Sequence, residues 1–95
     1  MCVTVRAILR LAMAIGKYEF PMELPEGATL DDLLNRIEEE YGPQTRPYLR
    51  DVETTLQHPG LLFYRNHVLL PRENVLQTVL EDGDILYIAS PAGGG

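Results

Sequence analysis

Asp82-Gly83-Asp84-Ile85-Leu86-Tyr87-Ile88-Ala89-Ser90-Pro91-Ala92-Gly93-Gly94-Gly95 reads as three things in succession: a tight turn, a strand and a glycine stalk. Asp-Gly-Asp tolerates the left-handed backbone that a sharp reversal needs. Ile85 to Ala89 is a short apolar run bounded by turn residues, the pattern of a buried strand. The glycines that follow carry no Cβ, so the stalk is thin enough to enter a channel closed to any side chain. It is suited to bring the chain's own α-carboxylate into another protein's active site. A frayed end or an added linker has the same composition. The tail alone leaves both readings open, and the rest of the chain has to decide.

Upstream of that stretch, Leu61-Leu62-Phe63-Tyr64 and Val68-Leu69-Leu70 flank Arg65-Asn66-His67. Asn accepts φ > 0, so this is a hairpin. Further back, Leu30, Leu33, Leu34, Ile37 and Tyr41 follow the i, i+3, i+4, i+7 rule and predict one long helix with a single apolar stripe. Thr29 is placed to cap it, Asp31 and Asp32 sit near its positive end, and Gly42-Pro43 ends it. Asp32 to Arg36 and Arg36 to Glu40 are i,i+4 pairs. A short helix is expected over residues 47–52. At the N-terminus Val3, Val5 and Ala7 alternate with Thr4 and Arg6, a half-buried strand that runs on through residues 9–14 and stops at Gly16. Ile8 falls on the polar face of Thr4 and Arg6. Tyr18, Phe20, Met22 and Leu24 share one side of a second strand. Pro21 denies the ladder one donor, so the strand is an edge or has its N–H side outward. The order is β-β-α-β-β-β, an α+β layer with the helix across one sheet face.

Ninety-five residues with 45% hydrophobic content suit one domain with one core. We expect residues 1–89 to be that domain and residues 90–95 a flexible tail. A net charge of −6, with 8 basic against 14 acidic residues, argues against nucleic acid as a partner. No apolar run is long enough to span a bilayer, and the N-terminus lacks the pattern of a secretory signal. The single cysteine, Cys2, cannot form an internal disulfide, so the cytoplasm is the expected compartment.

Catalytic chemistry is sparse. His58, His67 and Cys2 stand apart, and no CxxC, HxxxH or carboxylate-rich loop supports a metal. Cys2 as a persulfide carrier competes with Cys2 as an inert thiol, and its neighbours give no reason for a lowered pKa. Glu38-Glu39-Glu40 is most simply the solvated end of the helix. Ser90 has no evident base, and the terminal glycines precede no helix that would make a phosphate loop.

The stretch from Asp82 to Gly95 resembles the C-terminal signature of the MoaD/ThiS ubiquitin-like sulfur carriers. These end in a DGD turn, a hydrophobic strand and a Pro-Pro-Val-Ala-Gly-Gly type tail. Here the spacing matches without a gap. Gly93 stands where Ala or Ser is usual and Ser90 where the first Pro is usual. Residues Leu24 to Leu34 resemble the family's passage into its helix, and the Asn66 hairpin its NG-type turn. The resemblance implies a β-grasp fold, a mixed sheet with one main helix across one face. The length favours the MoaD-like branch, since ThiS-type members lack much of the 43–60 segment.

It also implies a carrier without catalytic residues of its own. An E1-like adenylyltransferase of the MoeB/ThiF type, using Mg-ATP, would adenylate the Gly95 carboxylate at the end of the Gly94-Gly95 pair. Conversion to a thiocarboxylate would then arm it as a sulfur donor. No cofactor is expected to be bound. The implied acceptor is a molybdopterin synthase large subunit of the MoaE type. Sulfur supply to tRNA or another metabolite, conjugation to proteins through Gly95, and an inert interaction module stay open. Ile8, Leu69, Ala89 and Gly93 occupy positions that would meet the partner, with Ala89 smaller than the residue often found there.

Overall fold

The computed structural model describes residues 1–7, 10–49, 61–71 and 73–89. Five strands form one mixed sheet: β1 (Cys2–Ala7), β2 (Glu19–Glu23), β3 (Leu62–Arg65), β4 (Val68–Leu69) and β5 (Ile85–Ala89). Their order is β2-β1-β5-β3-β4. β1 and β5 are parallel, and every other pairing is antiparallel. The expected short helix at 47–52 and the Ile8 position fall partly or wholly outside the described residues, as do Gly93, Gly94 and Gly95.

The long helix, α2, spans Leu30–Tyr41. Leu30, Leu33, Leu34 and Ile37 are fully buried and join Val3, Val5, Phe20, Met22, Phe63, Leu86 and Ile88 of the sheet in one core. Thr29 caps it, and the cap is reciprocal. The Asp32 amide donates to Thr29 Oγ1 (3.3 Å), and the Thr29 amide donates to Asp32 Oδ2 (2.9 Å). Asp32 therefore serves the cap, while Arg36 pairs with Glu40 at 3.8 Å. Two backbone bonds, Leu30 N–H to Thr78 O and Leu80 N–H to Ala28 O (both 2.9 Å), pin the start of α2 to the segment before β5. At the other end Gly42 (φ 105) stops the helix, and the Phe20 and Tyr41 rings meet edge to face at 5.0 Å. A 3₁₀ helix over Pro43–Tyr48 follows, earlier than the sequence suggested, and delivers Leu49 into the core at zero exposure.

The structure corrects the sequence reading in two places. Residues 10–15 do not extend the first strand; Arg10–Ile15 is a helix, α1. Arg, Leu, Ala and Met are strong helix formers, and Leu11 and Ala12 are buried with Ile15 packed beside them, which is helical and not alternating spacing. Gly16, at φ 90, ends it with its N–H on Ala12 O (2.7 Å). Tyr18 has the parity of Phe20 and Met22 but is 79% exposed, because it stands in the bend just before β2, outside the core-facing strand. Pro21, by contrast, lies where a donor is dispensable. Its register partner Thr4 turns its own amide to Asp84 O, and β2 is an edge strand.

Candidate functional site

Strand register assembles the face of the sheet opposite α2. Leu69 pairs with Tyr64, Tyr64 with Tyr87, Tyr87 with Arg6, and Arg6 with Glu19. Directly paired residues share a face, so these five form a row across all five strands on the open side. Val5 and Ile88 have the opposite parity and are buried against α2, at 0% and 1% exposure. Leu69, which the resemblance placed against a partner, is half-exposed and on this open face. Ala89 lies beside the row, paired with Leu62 and partly buried.

The middle of the row is tied together. Arg6 Nε donates to Glu19 Oε1 at 2.6 Å, and Nη1 donates to the Tyr87 hydroxyl. The guanidinium lies 5.2 Å from the Tyr87 ring centroid, and the His67 ring lies 5.4 Å from the same ring. The face thus has an apolar end at Leu69 and Tyr64 and a charged, pre-ordered end at Arg6 and Glu19. Sequence reasoning missed Arg6, Tyr64 and Tyr87. Parity had put Arg6 on this side, but only strand order reveals which residues lie abreast.

β5 is the central strand, held by β1 on one side and β3 on the other. Its pairing persists to its last residue, Ala89, opposite Leu62. The DGD turn anchors its other end. Gly83 (φ 87) allows the reversal, its N–H donates to Cys2 O (2.8 Å), and the Cys2 amide donates to Asp82 Oδ1 (2.7 Å). Asp84 is 4% exposed. It accepts from the Glu81 amide (2.8 Å), from Asn66 Nδ2 (3.1 Å) and from Arg65 (2.8 Å). Asn66 Oδ1 in turn accepts from the Ile85 amide (2.9 Å), and Asn66 and His67 both take positive φ in the β3–β4 hairpin. The signature aspartates are therefore structural. They lock the hairpin and the turn to the root of β5.

Burial pushes the Asp84 carboxyl up, but the bonds from Glu81, Asn66 and Arg65 outweigh it and hold it below its ordinary 3.8. A lowered folded-state pKa means the contribution is complete above that ordinary value and is lost as pH falls through it towards the folded one. Asp84→Asn is expected to cost roughly 2 kcal/mol at neutral pH, since it leaves Arg65 poorly paired and removes a charge-assisted bond. The gap from the parent protein should narrow below about pH 4. Urea melts at several pH values check this; a gap independent of pH would show that Asp84 titrates normally.

Among the described residues no group of three or more His, Cys, Asp and Glu is arranged to hold a metal. None of their helices is long and apolar enough to cross a membrane. The model of the ThiS family matches residues 4–95, nearly the whole chain. The chain belongs to the ThiS family. As a ThiS-family protein it falls among small ubiquitin-like sulfur carriers, and its sheet and helix form the β-grasp expected of them.

Solved structures agree on the fold. The crystal structure of SAMP1 from Haloferax volcanii is 20% identical, with all of both chains covered and a TM-score of 0.72. A putative molybdopterin converting factor, subunit 1, from Pyrococcus furiosus is 22% identical, covering 96% of this chain and 98% of its own, with a TM-score of 0.71. A complex of subunits 1 and 2 of molybdopterin-converting factor from Helicobacter pylori matches at 22% identity over all of both chains, with a TM-score of 0.61. No curated protein sequence matches this ThiS-family chain.

Proposed function

We propose that this protein is a cytoplasmic sulfur carrier that acts through the carboxylate of Gly95. The observation that carries the reading is the ThiS-family match, which runs through the terminal glycines to residue 95. An E1-like enzyme with Mg-ATP adenylates the carboxylate. Sulfide displaces AMP to leave a thiocarboxylate directly. A persulfide displaces AMP to give an acyl disulfide, which a second thiol of the sulfur donor cleaves to the thiocarboxylate and a disulfide. The thiocarboxylate sulfur then attacks the acceptor. The carrier contributes no acid, base or metal to these steps. It contributes a fixed strand root at Ala89, a narrow Gly93-Gly94 approach and the open sheet face as a dock.

Molybdopterin synthesis is the pathway we favour, with a second, larger subunit seated on Leu69, Tyr64 and the Arg6–Tyr87 pair. The molybdopterin-converting-factor relatives, one of them in complex with its subunit 2, support that choice. Conjugation to protein amines is the second reading. It draws on the similarity to an archaeal protein solved as SAMP1, a small archaeal modifier.

Incubation with a cognate E1-like enzyme, Mg-ATP and sulfide is expected to add about 16 Da, the exchange of one oxygen for sulfur. The gain should map to the C-terminal peptide. An unchanged mass with an enzyme shown to bind would sink the carrier reading. An amide to a lysine of another protein would favour the second.

A further inference from the structure

We propose that α1 and the turn after it form a second docking site, for an acidic peptide segment of another protein that carries an apolar anchor. Arg10 and Met13 are one helical turn apart and share a face of α1, while Leu11 and Ala12 turn into the core. Met13, at 83% exposure, and Tyr18, at 79%, are the two most exposed large hydrophobic side chains among the described residues. They border a groove of about 350 Å³ that Ala12, Gly16 and Lys17 also line among the described residues. Met adapts its shape to an incoming apolar group, and Tyr offers a flat apolar body with a polar tip.

The charge around this groove is unlike that of the rest of the protein. Among the described residues Arg6 pairs with Glu19, Arg36 with Glu40, Arg46 with Glu38, and Arg65 with Asp84. Arg10 and Lys17 are the basic side chains that have no carboxylate partner there, and both flank Met13. Lys17 Nζ lies 5.8 Å from the Tyr41 ring centroid, which keeps it beside the groove. In a chain of net charge −6, two uncommitted cations beside two bare apolar groups complement carboxylates next to a hydrophobic anchor. A second copy is a poorer occupant because it brings a whole chain of net charge −6 with it. An anionic membrane is poorer because a flat charged surface meets the rest of the acidic protein as well as the two cations, whereas a short segment meets the groove alone.

The described lining of the groove, on α1 and the turn after it, shares no residue with the row from Leu69 to Glu19 on the open sheet face. Both surfaces can be filled at once. One partner could hold the protein by α1 while others exchange on the sheet. The inference stands whether or not Gly95 carries sulfur.

The test is an amide-shift titration of the isotope-labelled full chain with a short synthetic peptide of Glu with Leu and Phe at helical spacing. Saturable shifts are expected across residues 10–18, with Tyr64, Leu69 and Tyr87 unmoved. Added salt should weaken the response. The double variant Arg10→Glu, Lys17→Glu should lose about tenfold or more in affinity while keeping the rest of its spectrum, as both side chains are exposed. The same peptide with Lys for Glu should leave the spectrum unchanged. Equal response to both peptides, shifts centred on the open face, or no saturable shift would overturn the proposal. So would concentration-dependent shifts without peptide and a dimer in sedimentation, which put a second copy there. Binding to phosphatidylserine vesicles in place of the peptide would likewise overturn it.

Discussion

Removing Gly95 is expected to abolish activation by the E1-like enzyme and to leave the thermal melt unchanged. One residue of extended chain spans about 3.5 Å, so the truncated carboxylate stops that far short of the nucleotide. Reacting atoms must approach to about 3–3.5 Å, and a misplacement of 1 Å can cost on the order of a hundredfold. A loss of well over a hundredfold in adenylation follows. Adding one Phe after Gly95 should do the same for a different reason, since its side chain cannot follow the glycines. The described core runs from Val3 to Ile88, and stability should therefore move by less than about 0.5 kcal/mol. Intact mass after incubation with Mg-ATP and sulfide, beside a melt, checks both halves. A truncated chain that still gained sulfur would separate the chemistry from residue 95. A truncated chain that melted early would make the tail part of the fold.

Aspartate substitutions should divide the sheet cleanly into its two faces. Val5→Asp or Ile88→Asp places an unpaired carboxylate among Leu30, Leu33, Leu34 and Ile37, all at zero exposure, and should cost roughly 4 kcal/mol or more. That is a large part of the roughly 5–15 kcal/mol that holds a domain together, so these variants should be largely unfolded near physiological temperature. Leu69→Asp, on a half-exposed edge position, should melt within about 1 kcal/mol of the parent protein. Its effect should fall on partner binding, by about 2 kcal/mol or more if Leu69 lies near the centre of the interface. Melts and binding titrations of the three variants decide the matter. A Leu69→Asp protein that melts like Val5→Asp would mean that the proposed dock is core. One that melts and binds normally would move the dock elsewhere.

The fold was legible where one local rule was strong enough to act alone. The stripe from Leu30 to Ile37, the Thr29 cap, the alternation in β1 and β5, and the Asn66 and Asp-Gly-Asp turns each needed only a few neighbouring residues. Arg10–Ile15 was misread because its apolar residues directly follow an alternating strand and are too few to display a helical period. Tyr18 was grouped with Phe20, Met22 and Leu24, and parity says which face a side chain has, but not whether anything covers it there. The dock was half legible. Leu69 and Ala89 came from the family resemblance, and the strand register puts both on the open side. The Arg6–Tyr87–Glu19 tie was not legible, since it depends on β1 lying between β2 and β5, a fact of strand order. Ile8 and Gly93 to Gly95 lie outside the described residues. Asp84 was read as a turn residue, and its contacts with Arg65, Asn66 and Glu81 required side-chain positions.

The central position of β5 has a mechanical consequence. A tail held in a partner's channel transmits any pull directly to Ala89. Had the last strand been at an edge, and the pull transverse, its hydrogen bonds would open one after another, like a zipper. Here a tug along β5 loads the β1 and β3 ladders together and in shear, with the Asp84–Asn66–Arg65 cluster resisting at the far end. If the tail acts in a partner's active site as proposed, the sheet is built to let the protein be withdrawn without unravelling.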